Sequence, residues 1–288
     1  MRRAFTIILF LLYLQCAYSQ TTQQYDSIKH LISSAKDDST KFYRTSDLIW
    51  VYMYSNIDSA AFYIRQNILL AKKMNSDAAS DAVYGQYWTL EDINGNYSGA
   101  LQYILQSLRS AEQKNNFISI CQTCFGLSNV YSETGDFEKA IYYLRRAKSM
   151  LESKVNPIIQ QEKNEVIASN YIFCLVNFAQ VFETFNRLDS ALKYANDARD
   201  LYLRRYGNDH FFSHILPPVM GNIYSKKGDY PVALNYYRTG IAIAGKDGVI
   251  KDVMDNYSGT ANTFEKMGQF DSSIFYANKV LESKRSGA

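Results

Sequence analysis

Apolar and small residues return along most of this 288-residue chain at the three-and-four spacing of an amphipathic helix. Leu127, Ser128 and Tyr131 form one such set, as do Phe178, Ala179 and Phe182, and Met220, Gly221 and Tyr224. A second, alanine-rich kind of stripe follows: Ala140, Leu144 and Ala147, then Ala191, Ala195 and Ala198. Between the two kinds stands a recurring phrase. It reads Gly95-Asn-Tyr-Ser-Gly-Ala100, Gly135-Asp-Phe-Glu-Lys-Ala140, Asn186-Arg-Leu-Asp-Ser-Ala191, Gly228-Asp-Tyr-Pro-Val-Ala233 and Gly268-Gln-Phe-Asp-Ser-Ser273, with a weaker copy at Ser55-Asn-Ile-Asp-Ser-Ala60. Its glycine, or Asn186, can take the left-handed conformation that closes a helix, and Asp or Asn then starts the next. The pattern predicts antiparallel pairs of amphipathic helices joined by this turn.

The last residue of the phrase falls at 60, 100, 140, 191, 233 and 273, giving intervals of 40, 40, 51, 42 and 40. Six helix pairs follow, over about 39–76, 77–116, 117–156, 157–207, 208–247 and 248–284, within a repeat region spanning 39–288. The long interval exceeds the others by about eleven residues, close to three helical turns, which would lengthen a helix without rotating its apolar face. Asn156 as cap and Pro157 at the first helical position predict that this long helix runs to about Phe185. Ahead of the repeats, Tyr25, Ile28, Leu31, Ile32 and Ala35 form one more stripe and predict a capping helix over 22–38. Behind them the stripe Ile274, Phe275, Ala277, Val280 and Leu281 runs almost to Ala288, so its outer face would meet a partner or a continuation of the chain. Pro217 and Pro218, each lacking a backbone donor, are expected to bend the fifth first-of-pair helix.

Small residue, tyrosine, Gly-Asp-Tyr and alanine, as in Gly221, Tyr224, Gly228, Tyr230, Ala233 and Tyr237, resemble the tetratricopeptide repeat over about residues 40–284. The resemblance implies an all-α, right-handed superhelical solenoid of about six helix pairs plus an N-terminal helix. It also implies a protein-binding scaffold, although the period here exceeds the family's usual length. Small residues such as Ala140, Ala147, Ala179 and Gly221 would let helices approach closely. The 24 tyrosines and 16 phenylalanines are expected to fill the remaining interior.

Composition narrows the setting. Residues 1–19 read as a secretory signal: Arg2 and Arg3, a nearly continuous apolar run from Phe5 to Leu14, and Ala17-Tyr18-Ser19 before a cleavage point. The apolar run, roughly ten residues, is short of the ~20 that span a bilayer, and bulky Tyr13, Leu14 and Gln15 before Cys16 disfavour lipid attachment. No further membrane span is expected, and the mature protein would be periplasmic or secreted. Removing Arg2 and Arg3 leaves 29 basic against 28 acidic residues, so no basic surface points to nucleic acid. Cys121, Cys124 and Cys174 are too few for a disulfide framework.

Candidate chemistry is sparse. His210 and His214 stand four apart without a third ligand, and Cys121-Gln-Thr-Cys124 lies inside a helical array rather than after a strand. There is no phosphate loop, nucleophile elbow or paired-carboxylate motif. Neither a catalytic residue, a metal nor a cofactor is expected. In the resembled family the first helix of each pair lines an inner groove, and the position after the small residue would face it. Those positions are Thr89, Asn129, Gln180, Asn222 and Asn262. Four side-chain amides in succession suit the unpaired backbone of an extended protein or peptide segment; they could equally bond neighbouring helices. One turn earlier stand Phe125, Val176, Pro218 and Ser258 rather than lysines or arginines, so an apolar or uncharged segment fits better than an acidic C-terminus. Leu31-Ile-Ser-Ser-Ala-Lys-Asp-Asp-Ser-Thr40, Asn56-Ile-Asp-Ser-Ala-Ala-Phe-Tyr63 and Leu69-Leu-Ala-Lys-Lys-Met74 resemble the exported repeat regions of bacterial sensor histidine kinases. That likeness implies an input role in two-component signalling; self-association through the last helix is the alternative.

Overall fold

The computed structural model describes residues 26–154, 165–207, 214–247 and 249–286. Among these every regular element is helical. A helix over 26–33 (α1) precedes twelve more: α2 Asp38–Met53, α3 Ile57–Met74, α4 Asp77–Ile93, α5 Tyr97–Gln113, α6 Phe117–Glu133, α7 Phe137–Lys154, α8 Glu165–Thr184, α9 Leu188–Tyr206, α10 Leu216–Lys227, α11 Tyr230–Asp247, α12 Ile250–Lys266 and α13 Phe270–Ser286. The fold is an all-α helical-repeat solenoid. The proposed signal at 1–19, His210, Asn156 and Pro157 lie outside the described residues.

The turns follow from the recurring phrase. Gly95, Gly135, Asn186, Gly228 and Gly268 all have positive φ, which lets each helix end without a Cβ clash or with asparagine's tolerance of that conformation. The next residue then caps the following helix. Asn96 accepts from the amide of Gly99, Asp136 from that of Lys139 and Asp229 from that of Val232. At Arg187 no side-chain cap bond forms.

The chain divides into two compact units. The first holds the described residues up to Leu90, together with the chain from Leu281 onward. Here α2 packs along α3, and Phe42, Leu48, Ile49, Met53 and Ile64 are completely buried between them. Ile28 and Ile32 of α1 pack on this core, while Leu31 remains exposed. Full burial of each such side chain contributes about 1.5–3 kcal/mol.

The second unit runs from Glu91 to Val280. Within it α6 pairs with α7, α8 with α9 and α10 with α11, and the first helices also touch one another in sequence, α6 to α8, α8 to α10 and α10 to α12. Alanine sets this spacing. Ala140, Ala147, Ala179, Ala191, Ala195 and Ala233 have no exposed surface, so helix backbones approach where a larger side chain would separate them.

Two sequence expectations are revised, and a third falls partly on residues outside the described ones. The described part of the long helix, α8, has 20 residues against 17 in α6, less than one turn more; the rest of the insertion lies outside the described residues. Pro217 and Pro218 do not bend a helix interior. They are the second and third residues of α10, within its first turn, where the missing N–H would have had no intrahelical acceptor. And α8 is long and apolar enough to cross a membrane by length and composition, where no span after the N-terminal apolar run is expected from the sequence. Its most apolar window is 61% buried within the protein, and it packs against α6, α7, α9 and α10.

Candidate functional site

The five candidate residues occupy unlike surroundings. Thr89, on α4 in the first unit, is 8% exposed and its hydroxyl donates to the Gly85 carbonyl at 3.0 Å. It is occupied by its own helix. The other four belong to the second unit, at the same repeat position of α6, α8, α10 and α12. Asn129 is half-buried, whereas Gln180, Asn222 and Asn262 are exposed. Because these helices touch in succession, the amides form a row along one wall. The residues one turn earlier contribute little to its surface: Phe125 and Val176 are buried core.

Asn222 is already engaged. Its Oδ1 accepts the Tyr237 hydroxyl at 2.8 Å, leaving the amide NH₂ as its remaining donor. A charged residue stands one turn after each amide, a further signal at the same repeat position. Glu133, Glu183, Lys226 and Lys266 follow Asn129, Gln180, Asn222 and Asn262 by three or four residues, a spacing that places each charge beside its amide on the helix surface. Lys226 Nζ lies 2.8 Å from Glu183 Oε1. Lys266 Nζ reaches Ser225 Oγ at 3.4 Å, and Ser225 Oγ also accepts from the buried Thr263 hydroxyl at 2.9 Å. At the α6 end, burial raises the carboxyl pKa of Asp92, and the charge of Glu133 raises it further. The wall therefore passes from acidic at α6, through an ion pair between α8 and α10, to basic at α12.

Nothing along this row assembles a nucleophile and a base. No group of three or more His, Cys, Asp or Glu with metal-binding geometry occurs among the described residues. His214, just ahead of α10, is buried with its Nδ1 against the Asp252 carboxylate of α12; its proposed metal partner, His210, lies outside the described residues. Cys121, Cys124 and Cys174 are free and buried. Burial pushes the Cys121 thiol up to about 11 and Cys124 up to about 12, the opposite of an activated thiolate.

Only a minority of the described aromatic side chains are fully buried; most of the others stand half-buried and stack in a repeated form. A ring from the first helix stacks on a tyrosine of the second in Tyr52–Tyr63, Tyr131–Tyr143, Phe182–Tyr194, Tyr224–Tyr236 and Phe264–Tyr276, with centroids 5.5–5.8 Å apart. The last four pairs share a sequence separation of twelve, a signal that was available in the sequence.

Tetratricopeptide-repeat family models match residues 122–150 and 219–248. No curated protein matches the chain. Among solved structures, a Rap protein complexed with Competence and Sporulation Factor superposes with a TM-score of 0.70 at 13% identity, covering 96% of this chain and 72% of that one. Aspartyl phosphate phosphatase F from Bacillus subtilis gives 0.63 at 15%, covering 94% and 70%. A signal transduction ATPase with a tetratricopeptide repeat sensor, from Pyrococcus horikoshii, gives 0.54 at 16%, covering 94% of this chain and 41% of that one. At such identities the likeness is one of fold. The turn phrase, the left-handed residues it supplies and the two matched segments agree: the chain carries tetratricopeptide repeats at residues 122–150 and 219–248 within its helical-repeat fold.

Proposed function

We propose that this protein is a non-catalytic scaffold that holds a protein or peptide segment along the wall built by α6, α8, α10 and α12. The observation that carries this reading is the row of amides, three of them exposed, at one repeat position of four helices in contact. An amide offers donor and acceptor together, which matches an extended backbone whose own groups are unpaired. The Rap structure, captured with a bound factor, supports a binding role. The phosphatase neighbour is the counterweight, but this chain's wall lacks a clustered nucleophile and base among the described residues.

We further propose that the protein is exported to the periplasm or secreted, on the evidence of Arg2, Arg3 and the apolar run that follows. A role as the sensory input region of a two-component system rests on the resemblance of residues 31–74 to exported sensor regions, and the repeat sensor of the signal transduction ATPase is a parallel. The competing reading, a self-assembling adaptor, is favoured by Phe270 and Ile274 on α13, exposed by 63% and 60%.

The full chain produced in a Gram-negative host tests export: periplasmic material beginning at Gln20 supports it, and an intact Arg2 and Arg3 in cytosolic material refutes it. Panning that product against displayed linear peptides tests binding. Selected peptides should lose at least about tenfold in affinity for the Gln180→Ala, Asn262→Ala double variant, as expected when two hydrogen bonds are lost. Unchanged affinity would remove the wall from the mechanism. Concentration-dependent sedimentation abolished by Ile274→Lys would favour the adaptor reading instead.

A further inference from the structure

A cleft of about 680 Å³ opens in the second unit between α11 and α13, with α12 as its floor. Neither Asn222 nor Asn262 is among its lining residues, so it is separate from the amide wall. Leu234 and Ile241 of α11 form one side, Tyr257 and Phe264 of α12 the floor, and Phe275 and Tyr276 of α13 the other side. Pro231 and Ala242 mark its extent along α11, about 16 Å at ~1.5 Å per residue. The volume falls within the roughly 300–1,000 Å³ typical of small-molecule sites.

Its charge is one-sided. Arg238 lines the cleft from α11 and Lys279 from α13, and no carboxylate is among the lining residues. The Arg238 guanidinium donates to Asn235 Oδ1 at 2.7 Å, which uses one of its five N–H donors and fixes the position of the fork. Lys279 Nζ stands 5.5 Å from the centre of the Phe275 ring. Thr260, the hydroxyl on the floor, already donates to the Asn256 carbonyl at 2.8 Å. An occupant would therefore meet aliphatic and aromatic surface along its length and positive charge from both sides.

We propose that this cleft binds an elongated anionic amphiphile, an acyl chain bearing one carboxylate, with the chain along Leu234, Ile241 and Phe264 and the carboxylate held by Arg238 and Lys279. The elongated shape and the small-molecule volume favour such a chain over a folded partner. The two cations select an acid over a neutral lipid, because a charge-assisted bond to Arg is stronger than one to an uncharged hydroxyl.

Calorimetric titration of the purified protein with dodecanoate, below its micelle concentration, tests the site. One saturable site is expected, with dodecanol bound at least about tenfold more weakly. Arg238→Gln with Lys279→Gln should bring the two ligands to equal affinity. Ala242→Trp, at an exposed helical position, should fill the cleft and abolish binding of both while circular dichroism stays unchanged. Absence of saturable dodecanoate binding overturns the proposal. So does binding that survives Ala242→Trp, and so does dodecanol binding as tightly as the acid.

Discussion

The Tyr237 hydroxyl donates to Asn222 Oδ1 at 2.8 Å, so a residue at the heart of α11 is tied to a candidate binding residue on α10. The ring reaches that point only because Gly221 and Gly259 flank it: a β-carbon at either position would overlap the ring atoms. Tyr237 is 1% exposed, and burial pushes its phenol pKa well above the usual value. Tyr237→Phe should cost about 1 kcal/mol, the net worth of one hydrogen bond, and free Asn222. Gly259→Ala should cost about 1–3 kcal/mol through overpacking. Urea midpoints of the two variants, read with an unchanged denaturation slope, check both numbers.

The stacked aromatic pairs make a second contrast. Tyr143 lies flat on Tyr131 at 5.8 Å with 2° between the planes, whereas its neighbour Tyr142 is 59% exposed. Tyr143 and Tyr131 are half-buried, so Tyr143→Ala should lower stability by about 1–2 kcal/mol. Tyr142→Ala should stay within about 1 kcal/mol. Thermal unfolding of both variants under one buffer would distinguish a half-buried stack from a surface aromatic cluster.

In the first unit, Ser46 Oγ accepts from both Asn67 Nδ2 at 2.9 Å and Gln86 Nε2 at 3.0 Å. Both amides are buried. Ser46→Ala leaves two buried donors without their acceptor, at about 1–3 kcal/mol each. The expected loss is therefore about 2–4 kcal/mol, allowing for partial relaxation. Hydrogen exchange should show the loss in α2 and α3, with α8 and α10 protected as before.

Alkaline pH should destabilise the fold in a defined window. Burial raises Tyr171 from 10.0 to about 12, Tyr206 from 10.0 to about 12, Cys121 from 9.0 to about 11 and Cys124 from 9.0 to about 12. A folded-state pKa above the unfolded value means that the native protein holds the proton more tightly. The associated stability is complete below the unfolded value and is lost as pH rises through the folded one. The melting temperature should therefore fall steadily between about pH 9 and 12. Tyr171→Phe, which also loses the bond to Glu152 at 3.0 Å, should make that slope shallower. Native-state alkylation at pH 8 should leave all three described cysteines unmodified.

Local chemistry was largely legible. The positive φ at Gly135, Asn186 and Gly228 and the caps at Asn96 and Asp136 depend on residues within one turn of each other, so their identities alone predict them. The alanine stripes likewise carried the closeness of the helices. Pro217 and Pro218 were misread because a proline's effect depends on whether it stands at the first turn or inside the helix, and that boundary is set by how residues 214–216 enter the fold.

The candidate site was legible only in part. Periodicity named the positions Asn129, Gln180, Asn222 and Asn262, but their exposure and their bonds depend on the neighbouring helices. Asn222 meets Tyr237, fifteen residues away, and Lys226 meets Glu183, forty-three residues away. The cleft between α11 and α13 has no sequence signature, since it is the space left between helices whose own patterns are ordinary. The sequence by itself determined the repeat, its turns and its helical faces, because those are set by interactions between residues a few positions apart. Only the tertiary structure decided which polar groups are spent on one another, which remain at the surface and where space is left open, because those outcomes depend on distances between residues far apart in the chain.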